Sequence, residues 1–204
     1  MERIVNEQDI ATLVKMDKIF ADILAAYQSP INYTRPPGFE TLSKIILEQQ
    51  VSLAAANAHF LKLSTYVNKL TPAAILKLSD EEMRSCQISR QKSFYLRSLA
   101  SAIINKTLNL KKLSAKSEDF IRMELTKIKG IGNWTVDMYL MFCLQAKDIF
   151  PIGDVALYTT MRELTAARTT EEIIAYAERW RPLRSLATYF LWHYYLEKRR
   201  IKNS

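Results

Sequence analysis

Glycine and proline are scarce in this chain, four and six residues in 204. That composition argues against a turn-rich β protein and against a disordered, low-complexity chain. Runs alternating valine, threonine or aromatics with polar residues are missing as well, and no internal repeat occurs. Leucine, isoleucine, alanine, lysine and glutamate recur instead, all tolerated in helices. The sequence predicts an all-α protein. Only two cysteines are present, Cys86 and Cys143, far apart in apolar or helical contexts. Two thiols build neither a disulfide scaffold nor a four-cysteine zinc or iron–sulfur centre, and both are expected as buried structural thiols in a reducing compartment.

Long apolar runs are also lacking. The longest, Met138 to Leu144, is far too short to span a bilayer, and the start of the chain carries Glu2, Glu7 and Asp9 rather than an apolar leader. A soluble, cytoplasmic protein without a membrane partner is expected. Acidic residues are outnumbered 21 to 29, for a net charge of +8. A surplus of that size points to a polyanion, nucleic acid first, or to solubilising charge alone.

Punctuation divides the chain into roughly ten helices joined by short loops. Gln28-Ser29-Pro30 and Arg35-Pro36-Pro37-Gly38 close an N-terminal helix of about 7–27. A long helical pattern runs from Phe39 to about Leu63. Thr71-Pro72 caps a short helix, and Ser79-Asp80-Glu81-Glu82 is a capping box. Phe94, Leu96, Leu99 and Ile103 repeat apolar positions within a helix over about 89–106. A basic loop, Lys106 to Lys116, precedes a helix capped by Ser117. Asn133 to Leu140 is apolar nearly all round, as a buried central helix would be. Further helices start near Asp154, at a second capping box from Thr169 to Glu172, and at Leu183, the last running to about Lys198.

Between two of these helices lies Lys127-Ile128-Lys129-Gly130-Ile131-Gly132-Asn133-Trp134-Thr135. Two glycines around one apolar residue permit a sharp turn and remove side chains that would obstruct a ligand. The amides opening the next helix favour a phosphate oxygen, Ile131 can anchor the tip in the core, and Lys127 and Lys129 add charge. Such contacts grip a nucleic-acid backbone without reading sequence. A bare Gly-X-Gly is more often an ordinary helix stop.

The surrounding pattern decides between the two. Leu125 to Thr135 resembles the hairpin of the helix-hairpin-helix, Gly-Pro-Asp (HhH-GPD) DNA glycosylase superfamily. Gly130-Ile131-Gly132-Asn133-Trp134-Thr135 is similar to its 3-methyladenine DNA glycosylase II branch. Three further stretches agree in order and separation: Ile46-Leu47-Glu48-Gln49-Gln50-Val51-Ser52, Phe150-Pro151-Ile152-Gly153-Asp154, and Trp180-Arg181-Pro182-Leu183-Arg184-Ser185 with Leu191-Trp192. The resemblance covers about residues 40–204. It implies one glycosylase domain over 1–204, two helical lobes around a central cleft, no N-terminal β domain, and a segment 1–38 packed on the core. A monomer acting on double-stranded DNA with damaged bases is expected. No cofactor is required, beyond a monovalent cation that hairpin carbonyls could hold. No iron–sulfur cluster and no metal ligand from side chains are expected.

Base excision breaks a C1′–N bond through positive charge on the sugar, which a carboxylate can stabilise while orienting water. Asp154, after a Pro-Ile-Gly turn at a helix start where the dipole favours an anion, could be a plain N-cap. Its match to the family aspartate makes it the expected catalyst. Asp137 is expected as a hydrogen-bonded structural group and Asp148 as a solvated loop charge. Bifunctional relatives carry a lysine two residues after the second glycine as a Schiff-base nucleophile. Trp134 stands there, which implies hydrolysis alone.

The target nucleotide must leave the duplex stack for the bond to be reached. An N-alkylated purine is cationic and favours an aromatic face. The resemblance places Trp134, Trp192, Met138 and Gln49 at the base pocket, Gln50 as the side chain filling the gap in the duplex, and Lys127, Lys129, Gly130, Ile131, Gly132, Asn133 and Thr135 at the DNA backbone. Either tryptophan could instead be core, and Trp180 is expected to be. Excision of alkylated purines, 3-methyladenine and 7-methylguanine, is the expected activity. The alternatives are a glycosylase for oxidised or deaminated bases and a non-catalytic module that only grips DNA.

Overall fold

A computed structural model of the chain describes residues 3–202; Met1, Glu2, Asn203 and Ser204 lie outside the described residues. Thirteen α-helices and one 3-10 turn account for its regular structure, with no strand among the described residues. They are α1 (Glu7–Met16), α2 (Lys18–Tyr27), α3 (Phe39–Glu48), α4 (Leu53–Val67), α5 (Pro72–Lys77), α6 (Asp80–Ser85), α7 (Arg90–Ile104), α8 (Leu110–Leu113), α9 (Glu118–Thr126), α10 (Asn133–Leu144), α11 (Val155–Leu164), α12 (Thr170–Ala177) and α13 (Arg184–Lys202). The all-α expectation holds, and both capping boxes form as read, Ser79 with Glu82 and Thr169 with Glu172.

The helix count exceeds ten for local reasons. The stretch 7–27 is two helices, because Asp17 adopts an extended backbone and caps α2 by accepting the Ile19 N–H. The stretch 39–63 also divides. Gln49 leaves the helix, Gln50 takes a left-handed φ of 56°, and Ser52 caps α4 through the Ala55 N–H. The basic loop at 106–116 holds one more short helix, α8, capped by Asn109.

Contacts divide the chain into two compact units, one of residues up to Thr34 together with those from Leu140 onward, the other Arg35–Tyr139. In the first, α1 and α2 pack on α13, which also packs on α11. Phe20 sits edge-on to Trp180 at 5.0 Å and to Phe190 at 5.7 Å, and the buried Trp180 indole donates to Asp17 at 3.1 Å. Trp180 is therefore core, its polar edge satisfied by the carboxylate that breaks the helix. Asp148 is not the solvated charge expected: Arg184 and Arg181 both hold it, at 2.7 and 2.5 Å.

In the second unit α7 packs on α3, α5 and α6, and α3 on α4. Leu42, Ile45, Ile46, Leu63, Ile75, Leu96 and Leu99 are fully buried there. Phe94, expected in this core, is 56% exposed. The buried face of α7 runs instead through Ser93, Leu96, Leu99 and Ala100. Glu48, at the end of α3, is fixed by a two-pronged Arg35 contact, both bonds 2.9 Å. No described helix is long and apolar enough to cross a membrane, and no three potential metal-ligating side chains cluster among the described residues.

Candidate active site

The hairpin belongs to the second unit. Helix α9 stops at Thr126, and Ile128 and Ile131 fold the turn by donating to the carbonyls of Leu125 and Ile128 at 3.1 and 3.0 Å. Ile131 is buried, as its anchoring role requires. The two glycines differ. Gly130 has a φ of +90°, and a Cβ there would strike the Tyr95 ring and lie 2.5 Å from the Tyr95 Cβ. Gly132 lies outside the left-handed region, and nothing would meet its Cβ within 4 Å. Gly130 is thus glycine for the fold. Gly132 is exposed at the turn, open to whatever approaches from solvent.

Gln49 clamps this turn. Its side-chain amide donates to the Gly130 carbonyl at 2.8 Å and to the Thr135 hydroxyl at 2.9 Å. Gln49 is thereby engaged with the hairpin, and Thr135, only 1% exposed, is turned inward. Gln50, next in the chain, is exposed on its left-handed backbone. Lys129 is exposed, whereas Lys127 is drawn into an ion pair with Glu124 at 2.5 Å. Asn133 is exposed and Trp134 half-buried, while Met138 is buried.

The two hairpin helices are cross-linked by Arg122 of α9, which contacts Asp137 of α10 at 2.5 Å and the Asn133 side chain at 3.3 Å. Asp137 is 5% exposed. Burial pushes its carboxyl above the usual range, Arg122 pulls it back, and Glu118 adds to the rise. A group so enclosed by its partner serves the hairpin's architecture. The Ile128, Gly130 and Gly132 carbonyls each accept one N–H group.

The first unit carries Asp154. Pro151-Ile152-Gly153 turns the chain, Gly153 with a φ of +85°, and Asp154 becomes the N-cap of α11. Its Oδ1 accepts the Leu157 N–H at 2.9 Å and the Trp192 indole N–H at 3.0 Å. Trp192 is half-buried on α13. Its ring stacks on Tyr189 at 5.7 Å and leans on Phe142 at 6.1 Å. Asp154 is itself half-buried, flanked by the exposed Ile152 and Val155. Two donors converging on one oxygen fix the carboxylate plane, a stricter arrangement than an N-cap needs. Chemically, it is a fixed negative charge at an accessible helix start.

Sequence reasoning missed Tyr95, Arg122 and the Tyr189–Phe142 support. Tyr95 adjoins Phe94 in an apolar repeat, and nothing local tells which ring turns inward. Arg122 is the one basic residue of α9, and nothing in the local pattern ties it to Asp137 on the next helix.

Comparison with known proteins gives a consistent set of likenesses. Residues 43–184 match the HhH-GPD superfamily of base excision DNA repair proteins. The chain is 30% identical over 182 residues to DNA-3-methyladenine glycosylase 1 of Schizosaccharomyces pombe, covering 86% of this chain and 80% of that one. Among solved structures, the S. pombe 3-methyladenine DNA glycosylase in complex with abasic DNA superposes with a TM-score of 0.83 at 28% identity, over 91% of this chain and 95% of the other. An 8-oxoguanine glycosylase/lyase from Clostridium acetobutylicum in complex with DNA reaches 0.81 at 18% identity, over 96% and 71%. That last likeness is one of fold alone.

Proposed function

The chain belongs to the HhH-GPD superfamily of base excision DNA repair proteins, and from that footing we propose that it hydrolyses the N-glycosidic bond of alkylated purines in duplex DNA. The hairpin around the exposed Gly132 grips the phosphate backbone, with Lys129 adding charge. Gln50 enters the gap left when the damaged nucleotide swings out, an exposed side chain on a left-handed turn braced next door by Gln49. Asp154 then acts on the extruded sugar. As the C1′–N bond lengthens, positive charge grows on C1′ and O4′. A carboxylate beside them stabilises it and orients the attacking water. The electron pair of the breaking bond leaves with the base, water supplies the hydroxyl that ends on C1′, and the proton it gives up passes to the Asp154 carboxylate and on to solvent.

The observation that carries this reading is the pair of N–H donors converging on Asp154 Oδ1. The lesion class rests on two supports. A 3-methyladenine or 7-methylguanine nucleoside is cationic, so its base leaves as a neutral molecule without protonation by the enzyme. The half-buried Trp134 offers such a cation a π face. Trp134 also stands where a Schiff-base lysine would, which favours hydrolysis without strand cleavage. The protein acts as a monomer and requires no cofactor.

The test is a panel of duplexes, each with one lesion, incubated with the protein and scored for abasic sites before and after alkali. Alkylated purines should be released fastest. Equal or faster release of 8-oxoguanine would overturn the lesion assignment and keep the glycosylase reading.

A further inference from the structure

A tryptophan lining a base pocket would be expected to present its ring face to the lesion. In the first unit the geometry of Trp192 serves another end. Its indole N–H is spent on Asp154 Oδ1 at 3.0 Å. The ring is gripped by Tyr189, stacked at 26° with centroids 5.7 Å apart, and by Phe142 at 6.1 Å. Tyr189 is itself immobilised: it meets Tyr33 edge-on at 5.5 Å, and its hydroxyl donates to the Tyr33 carbonyl at 3.1 Å. A chain of aromatic contacts therefore ends in a single donor aimed at the carboxylate. The second donor on the same oxygen is the Leu157 backbone amide, which no side-chain change removes.

We propose that Trp192 is a positioning residue for the reaction, acting through its N–H on Asp154 rather than through its π face on the base. This rests on the reading of Asp154 as the catalytic carboxylate. The indole N–H reaches Oδ1 from a direction fixed by packed rings, so it adds a second donor to the amide of an ordinary N-cap and restrains rotation of the carboxylate about its Cβ–Cγ bond. A hydrogen bond to a charged group contributes on the order of 1.5–3 kcal/mol. At 1.36 kcal/mol per decade its loss lowers the chemical step about 10- to 100-fold. A buried indole N–H usually finds some acceptor for its own satisfaction. That bland role would show in stability and leave the rate untouched.

Replacing Trp192 by 3-benzothienylalanine tests the distinction, because sulfur takes the place of N–H while ring size and π surface remain. Under single-turnover conditions the rate of 3-methyladenine release should fall 10- to 100-fold, with Kd for a duplex carrying a non-cleavable abasic analogue within twofold of wild type. The loss should be of equal size for hypoxanthine, a neutral base, if it is cut. Trp192→Phe should reproduce the rate loss while its thermal midpoint is measured in parallel. Wild-type rates for the benzothienyl protein, or a loss confined to cationic bases, would overturn the proposal. Asp154→Asn in the same assay separates the two readings: if that variant stays active, Asp154 is not the catalyst, whatever Trp192 does.

Discussion

Alanine at Gly130 and alanine at Gly132 should have opposite consequences, although the two glycines are separated by one residue. At Gly130 the backbone stands at φ +90°, where an L side chain costs about 1–3 kcal/mol. The added Cβ would also collide with the Tyr95 ring and lie 2.5 Å from the Tyr95 Cβ, which no rotation of that side chain relieves. Overpacking of this sort costs roughly 1–3 kcal/mol more. Gly130→Ala should therefore lose roughly 2–6 kcal/mol, a large share of the 5–15 kcal/mol typical of a folded protein. Gly132→Ala meets nothing within 4 Å, and its stability should change by less than about 1 kcal/mol. Its effect should appear in DNA affinity, lowered alike for damaged and undamaged duplexes. Urea denaturation followed by tryptophan fluorescence, beside filter binding at two salt concentrations, reads both quantities. With m near 2 kcal/mol/M, the Gly130 variant's midpoint should drop by about 1–3 M. A Gly130 variant within 1 kcal/mol of wild type, or a Gly132 variant that unfolds as readily, would refute the division of labour between them.

Asp154→Asn should nearly abolish excision and leave duplex affinity intact or tighter, because the charge is needed mainly in the transition state; near-normal single-turnover rates would remove the aspartate from the mechanism. Borohydride should trap no covalent adduct with lesion DNA, and strand breaks should appear only after alkali, whereas stoichiometric trapping would show a Schiff-base lyase. Arg122→Ala should cost about 2 kcal/mol at neutral pH, less than the 3–5 kcal/mol of a fully buried pair because Arg122 is one-third exposed. Asp137 already has a folded-state pKa above its ordinary 3.8, so its protonated form favours the fold. That contribution is complete below the ordinary value and is lost as pH rises through the folded one. The deficit of the arginine variant should accordingly shrink as the pH is lowered from neutrality and Asp137 takes up its proton, and a deficit constant with pH in denaturation experiments would argue against the pairing.

Helix starts were legible in the sequence wherever the signal was local. Ser79, Thr169 and Thr71 each place a hydroxyl three residues before the amide they cap, and the structure uses all three. The Gly-X-Gly turn was legible for a similar reason. The break at Gln49–Ser52 was not, because the run around it is apolar at helical spacing and the Gln49 partner, the Gly130 carbonyl, lies 81 residues away. Asp17 is a comparable case: its second partner is the indole of Trp180, 163 residues on. A local pattern carries no trace of such distant partners, and helix propensity alone extends both helices through them. Among site residues, Gln49 and Thr135 are both picked out by the resemblance, while the hydrogen bond between them, 86 residues apart in the chain, leaves no local trace.

The fold itself does not set selectivity, since it is shared with an 8-oxoguanine glycosylase/lyase. A hairpin that grips phosphate carries no information about the base. Under the proposed function, discrimination then falls to the leaving group. Methylation of a purine ring nitrogen has already supplied the charge that protonation would otherwise provide, so the glycosidic bond of an alkylated purine is weakened before any side chain reads the base. On that reading, lesion choice follows the weakness of the bond more than the shape of the base.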